Sequence, residues 1–386
     1  MTNTVSSTLD RLRILITNLE NIPPYNIRSP SNQPCRASVA IIIRIRPNNL
    51  SHDNNNKFDF AESSTNKSLQ SEGINNEQKT NLEDFWELPW VKDGEPEILY
   101  VKRALREGDR WSGQIAFPGG KQDKTDFDDL DTAERETFEE VGLDIGNREL
   151  FLCVGALDER EITSTFGKNL LMVLCPFVFL QLTKETPPIE ISGSEIASTH
   201  WIPLSIFFDL NITQKWDPVS IDLSSRLAPN SWILQNIFKT LIGRMHFHCI
   251  GLPYSDVDGI TTKKLKLWGI TLQVTSDLID VMYWQNEIPP RRLDAKRPKF
   301  DYWDMNFFVW FFLRNNRKNY KRRMSDLKTR RKIWAEGWRE YFTATKKSCI
   351  IATIIRTLFF LLLIRKLPRI IFIIEKKIIN FTKRIE

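Results

Sequence analysis

Two runs of β-branched and apolar residues dominate the first hundred positions. Ala37–Ile45 (ASVAIIIRI) closes just before Pro47, and Glu97–Arg103 (EILYVKR) follows after a polar gap; both predict strands, lying side by side. Downstream, Leu150–Leu157 and Asn169–Leu182 predict two more, the second interrupted at Pro176, and Ser194–Trp201 holds a short strand behind a charged start. Pro203–Phe208 reads as a helix or turn, and 211–231 as a polar, turn-rich connection. Helical periodicity appears at Thr8–Leu19, with Leu9, Leu12, Ile16 and Leu19 on one stripe. It recurs at Lys263–Met282, where Leu265, Ile270, Leu272, Val274, Leu278, Ile279 and Met282 are core candidates. Between the first two strands, 48–78 is built from Asn, Ser, Asp and Lys, which predicts a disordered insertion. Strands mixed with helices predict an α/β fold, a mixed sheet between helical layers in an α/β/α sandwich.

Charge changes the picture at the C-terminus. The 386 residues carry a net charge of +6, but from Arg291 onward there are 26 basic and 8 acidic residues, +18, which leaves −12 for the remainder. Phe300–Phe312 is heavily aromatic, Arg314–Arg339 basic with Trp334 and Trp338 interleaved, and Cys349–Ile364 apolar except for Arg356 and two threonines. This segment is slightly short for a span, and its extension to Ile374 crosses Arg365, Lys366, Pro368 and Arg369. It reads either as one tilted transmembrane helix or as a basic region lying on an anionic membrane, with a buried helix of a second soluble domain as the alternative. No nucleic-acid module is recognisable among the basic and aromatic residues. Five cysteines without pair or knuckle spacing predict a reducing, intracellular compartment, and the polar N-terminus is unlike a signal peptide. His246 and His248 stand without neighbouring ligands at zinc spacing.

The chemistry concentrates in 117–143, FPGGKQDKTDFDDLDTAERETFEEVGL. A Gly-Gly pair follows a proline, then an acidic loop, then a helix that stops at Gly142, with Asp131 or Thr132 as the expected N-cap. Ala133, Thr137 and Val141 share one face. Glu136, Glu139 and Glu140 share another within one turn, where like charges oppose the helix unless a divalent cation sits among them.

Arg135-Glu136-Thr137-Phe138-Glu139-Glu140-Val141-Gly142-Leu143 resembles the helical half of the Nudix box, REUxEExGU with U apolar. Asp126 stands where the family usually has Glu, and the spacer to Arg135 is one residue longer. The resemblance implies a Nudix-type sandwich and hydrolysis of a nucleoside diphosphate-linked substrate. It implies Mg2+ or Mn2+ held by Glu136, Glu139, Glu140 and the Gly120 carbonyl. Arg135 would orient the carboxylates, and Glu136 or Glu195 would act as base, with Asp126 behind them. Further residues, Arg103, Arg110, Gly113, Phe117-Pro118-Gly119-Gly120-Lys121, Cys175-Pro176-Phe177-Val178 and Ser194-Glu195-Ile196, are similar to the coenzyme A pyrophosphatase branch. That branch implies cleavage of CoA or acyl-CoA to 4'-phosphopantetheine and 3',5'-ADP, with Arg103, Arg106, Arg110, Gly119 and Lys121 toward the substrate. Other dinucleotides, such as NADH or diadenosine polyphosphates, and a non-catalytic membrane-bound nucleotide-binding adaptor are the competing expectations.

The expected organisation is an N-terminal segment at 1–32, a hydrolase domain at 33–285, a basic aromatic extension at 286–347 and a membrane-associated segment at 348–386.

Overall fold

The computed structural model describes residues 7–31, 35–48, 76–109, 111–163, 170–213, 215, 217–228, 230–255, 262–283, 292–293, 296–323 and 327–382. Most of the expected insertion, 49–75, lies outside them. The chain forms two compact units: Met1–Thr163 with Asn169–Val219 and His248–Arg297, and Ser164–Lys168 with Ser220–Phe247 and Pro298–Glu386.

The first unit opens with α1 (Thr8–Asn21), β1 (Arg36–Arg46), α2 (Asn76–Glu87), α3 (Pro89–Lys92) and β2 (Glu95–Arg103). Short strands β3 (Ile115–Ala116) and β4 (Gly119–Lys121) lead into α4 (Asp129–Val141). There follow β5 (Phe151–Ala156), β6 (Arg160–Thr163), β7 (Leu170–Gln181), β8 (Ile196–Pro203), a 3-10 turn at Leu204–Phe208 and α5 (Leu210–Thr213).

β1 is the centre of the sheet. It runs antiparallel to β2, with Ile43 opposite Ile98, and parallel to β7, with Ile43 opposite Leu180. The order is β3-β2-β1-β7-β5, with β4 also on β1, β6 on β7 and β8 on β2. Alternation along β1 decides the layers. Ile41, Ile43 and Ile45 point into a core with Leu12 and Leu15 of α1, whereas Ala40 and Ile42 pack with Val141 of α4, Leu143 and Phe179. A strand buried on both faces reads as a continuous apolar run, which is why 37–45 is so uniformly hydrophobic. Thus the mixed-sheet α/β sandwich is the observed fold.

Pro176 does not interrupt β7. It falls where β5 hands over to β6, opposite Val39 of β1; its carbonyl accepts from the Leu157 amide at 2.9 Å. A proline is tolerated there because that side of the ladder is already changing partners.

Two expectations need correction. Residues 262–267 are strand, not helix: β11 (Thr262–Leu267) pairs with the later part of β10 (Arg244–Ser255), Leu252 facing Leu265. The helix, α8, covers only Gly269–Val281 and starts where Gly269 takes a φ of +66°. Its Leu272, Val274, Leu278 and Ile279 join the α1 core, as expected, and the Thr275 hydroxyl meets the buried Tyr100 hydroxyl at 2.9 Å. The stretch 211–231 likewise contains a strand, β9 (Asp217–Asp222).

In the second unit, α6 (Ser224–Leu227) precedes α7 (Trp232–Ile242), and the first residues of β10 pair with β12 (Lys299–Phe300). Two long helices follow, α9 (Trp303–Arg323) and α10 (Leu327–Thr382). Ile242, Met245, Phe300, Met305, Val309, Tyr341 and Ala352 form the core, and the Tyr341 hydroxyl donates to the Pro298 carbonyl at 2.9 Å. His246 contacts the Ser220 hydroxyl at 2.8 Å and the Asp301 carboxylate at 2.6 Å, which accounts for both ring nitrogens. Among the described residues, Gly337–Lys366 is long and apolar enough to cross a membrane.

Candidate active site

The box is assembled on β1. β4 lies antiparallel to it, with Gly119 opposite Val39 and Gly120 opposite Ser38. A Cβ on Gly119 would stand 2.2 Å from the Ser38 carbonyl oxygen, so only glycine fits; the same atom on Gly120 would stand 2.1 Å from a Glu136 carboxylate oxygen. These glycines therefore let the loop backbone touch both the strand beneath and the acid above.

α4 begins one turn earlier than expected. Asp128, not Asp131 or Thr132, is the N-cap and accepts from the Asp131 amide at 2.9 Å. Asp131 instead accepts from the Phe127 amide at 2.9 Å, which fixes the loop that enters the helix. Gly142 ends it in the left-handed region, φ 72°, its amide returning to the Phe138 carbonyl.

The three glutamates are graded in exposure. Glu140 is buried and accepts from the Gly119 amide at 2.9 Å, Glu136 is partly buried against Gly120, and Glu139 is exposed. Burial pushes the Glu140 carboxyl up to about 7, against the Gly119 hydrogen bond and the nearby Arg103, while Glu136 and Glu195 push it further. Glu136 is also raised, first by burial.

Arg135 is the organiser, with Asp126 as its main partner. Its Nε and Nη2 take the Asp126 oxygens at 2.7 and 2.9 Å, while Nη1 reaches Glu139 at 3.0 Å and Nη2 reaches Glu136 at 3.1 Å. Nη2 also donates to the Lys121 carbonyl at 3.1 Å, and the Lys121 side chain is exposed. Held by Arg135, the Asp123 amide and the Thr132 hydroxyl, the Asp126 carboxyl falls far below the usual range. Sequence reading assigns Asp126 a small part because its partner lies nine residues away across a loop.

Arg103 leaves β2 toward the box. Its Nη1 lies 3.8 Å from Glu140 and its Nη2 3.4 Å from Asp109, while its buried Nε has no hydrogen-bond partner among the described residues. Glu195 is placed beside the start of β8, where its carbonyl accepts from the Ala104 amide at 2.7 Å. Its carboxylate pairs with Arg106 at 3.0 Å, so Arg106 is engaged by the protein itself. Arg110 lies outside the described residues.

A second acidic group escaped sequence reading because four separated segments build it. Asp129, Glu159 and Cys175 bring potential ligand atoms within 4.8 Å of one another, a candidate metal-binding triad by distance. Arg36 already occupies it, 2.8 Å from Asp129 and 3.0 Å from the Cys175 sulfur, and ion-paired to Glu159. The donors at the box suit a hard divalent cation better: carboxylate oxygens and a glycine carbonyl on a backbone with no side chain to intrude.

Residues 88–221 match the NUDIX domain family. An uncharacterized protein of Schizosaccharomyces pombe is 30% identical over 77% of this chain and 81% of its own length. The mitochondrial coenzyme A diphosphatase of Mus musculus is 40% identical over 18% of this chain and 32% of its own, about a third of that relative. A peroxisomal coenzyme A diphosphatase of Caenorhabditis elegans is 34% identical over 29% of this chain and 43% of its own. With this fold, the glutamate helix and the glycine loop in register, the chain carries a Nudix hydrolase domain.

Proposed function

We propose that the protein hydrolyses the diphosphate bridge of coenzyme A or an acyl-CoA, releasing 4'-phosphopantetheine and 3',5'-ADP, with Mg2+ or Mn2+ as cofactor. One observation carries the catalytic part: Glu140 is buried, with its carboxyl raised to about 7, beside a second carboxylate pressed on a glycine loop. A fold has little reason to bury such a pair unless a cation is to join it. Glu136, Glu139, Glu140 and the Gly120 carbonyl would hold the ions. When bound, they neutralise phosphate charge and acidify a coordinated water.

The chain's own residues do the rest. Arg135, clamped by Asp126, keeps Glu136 and Glu139 turned toward the loop. Gly119 presents its amide to Glu140 and fixes that carboxylate. Arg103, partly buried with its Nη1 3.8 Å from Glu140, would turn its guanidinium to a phosphate oxygen, and Lys121 adds an exposed ammonium nearby in sequence. Water attacks one phosphorus, the bridging P–O bond breaks, and Glu195 takes the water's proton, with Arg106 orienting its carboxylate.

The coenzyme A assignment is supported by the similarity to two coenzyme A diphosphatases and by the residues around Arg103. Initial rates on CoA, acetyl-CoA, NADH, ADP-ribose and diadenosine tetraphosphate, with and without Mg2+ or Mn2+, test it. CoA is expected to turn over fastest, and Arg103→Ala to raise its KM. Turnover of the other nucleotides with none of CoA refutes the substrate; a well-folded chain that binds Mg2+ and cleaves none of them supports the adaptor. We also infer an intracellular, anionic membrane surface as the partner of α10, for which retention in carbonate-extracted membranes is the measurement.

A further inference from the structure

The apolar surface of the second unit is wider than its terminal helix. α7 has the sequence WILQNIFKTLI, yet only Ile242 is buried; Trp232 is 72% exposed and Ile233, Leu234 and Ile237 are exposed with it. α9 buries Met305 and Val309 and turns Trp303, 79% exposed, with Phe307, Trp310 and Phe311 outward. α10 buries Tyr341, Ala344, Ser348 and Ala352, exposes Ile350, Ile354 and Ile355, and is exposed at every position from Leu358 to Ile364. The outer face of a water-bound helix is polar. Three helices of one unit breaking that rule together mark an interaction surface.

Arg356 is the cation that would oppose burial of this surface, and the fold neutralises it. It pairs with Asp304 of α9 at 2.5 Å, donates to the Leu241 carbonyl at the end of α7 and stacks over the Tyr302 ring at 4.0 Å. On α7, exposed Lys239 lies 3.9 Å from the Asp222 carboxylate, and further charges flank the α10 band. Exposed Arg314, Lys346 and Lys347 flank the apolar part of α10 on one side, and exposed Arg365 and Lys366 on the other. At 1.5 Å per residue, 348–364 is about 26 Å long, close to the hydrocarbon thickness of a bilayer. A protein partner has no need of cations at both ends of such a band, whereas anionic lipid headgroups do.

We propose that α7, the aromatic face of α9 and the apolar part of α10 form one lipid-binding surface for an anionic bilayer, so that α7 is a membrane contact in its own right. The inference deepens the membrane reading of α10 and rests on it.

Flotation of the full chain with vesicles of phosphatidylcholine, with and without phosphatidylserine, tests both. The parent chain is expected to float with the anionic vesicles and less with neutral ones; failure to float at all defeats the membrane reading itself. The double variant Ile233→Asp, Ile237→Asp is expected to lose about tenfold or more in vesicle partition. Asn236→Asp, on the same helix, is the control for an added charge. Mg2+-dependent hydrolysis and the thermal melt report that the variants are folded. Parent-like flotation of the double variant overturns the role of α7. So does a vesicle-free dimer that the same two changes dissociate, because the face then belongs to a second copy.

Discussion

The two ends of α4 both gather acids, and they resolve the repulsion in opposite ways. At the first turn, Asp129 meets Glu159 and Cys175 around the guanidinium of Arg36, whose own pKa is raised, chiefly by its hydrogen bond to Asp129. Two turns later Glu136, Glu139 and Glu140 crowd the glycine loop. Their nearest guanidinium, Arg135, spends its two-pronged contact on Asp126 and touches only the outer pair, Glu136 and Glu139, whereas buried Glu140 keeps one amide hydrogen bond and Arg103 at 3.8 Å. Counting potential ligand side chains, three in each, does not distinguish the two. What distinguishes them is how fully a protein cation engages the acids, and that criterion favours the second cluster as the proposed metal site.

The largest effect should come from Glu140→Gln, expected to cut Mg2+-dependent turnover by on the order of 10³-fold, equivalent to several kcal/mol of charge stabilisation. Asp129→Asn should leave turnover near the parent value, and equal losses in steady-state kinetics would erase the contrast.

Arg36→Met strands two acids at the other end and should cost about 3–5 kcal/mol, read from the urea midpoint. Recovery of that stability by millimolar Mg2+ or Zn2+ would reveal the Arg36 cluster as a cation site after all.

The third test uses the metal-free protein. The Glu140 carboxyl goes from an ordinary 4.5 to about 7 on folding, so the folded state holds the proton more tightly. That contribution to stability is complete below pH 4.5 and is lost as pH rises to about 7. The loss amounts to roughly 3 kcal/mol. Thermal melts in EDTA should show the decline in the parent but not in Glu140→Gln, and Mg2+ should offset it. A pH-independent difference between the two proteins would remove burial as the cause.

Smallest is Arg135→Lys, which keeps the charge but loses the fork on Asp126; calorimetry should report Mg2+ or Mn2+ affinity reduced by about 10–100-fold.

The box was legible because its signal is local: glycines, spacer and glutamates fall within thirty residues, and helix spacing alone puts the acids together. The strands β1 and β2 were legible for the same reason, their apolar runs being longer than any helix-period reading allows. What escaped depends on partners far along the chain. Lys263–Leu267 alternates too briefly to declare itself, and its pairing with β10 makes it a strand. Asp128 lost the N-cap to Asp131 on paper because four acids in six residues make several start points look alike, and only the Asp131 contact with Phe127 separates them. Arg36 and Glu159 are 123 residues apart. α7 went unread because an apolar helix facing outward breaks the burial logic on which periodicity depends.

Arg356 adds an order of events to this architecture. Asp304 and Leu241 lie 52 and 115 residues upstream of it, so both leave the ribosome first. A nascent α10 thus finds its counter-charge already made, and Arg356 enters the hairpin with α9 as a paired side chain, not as a bare cation.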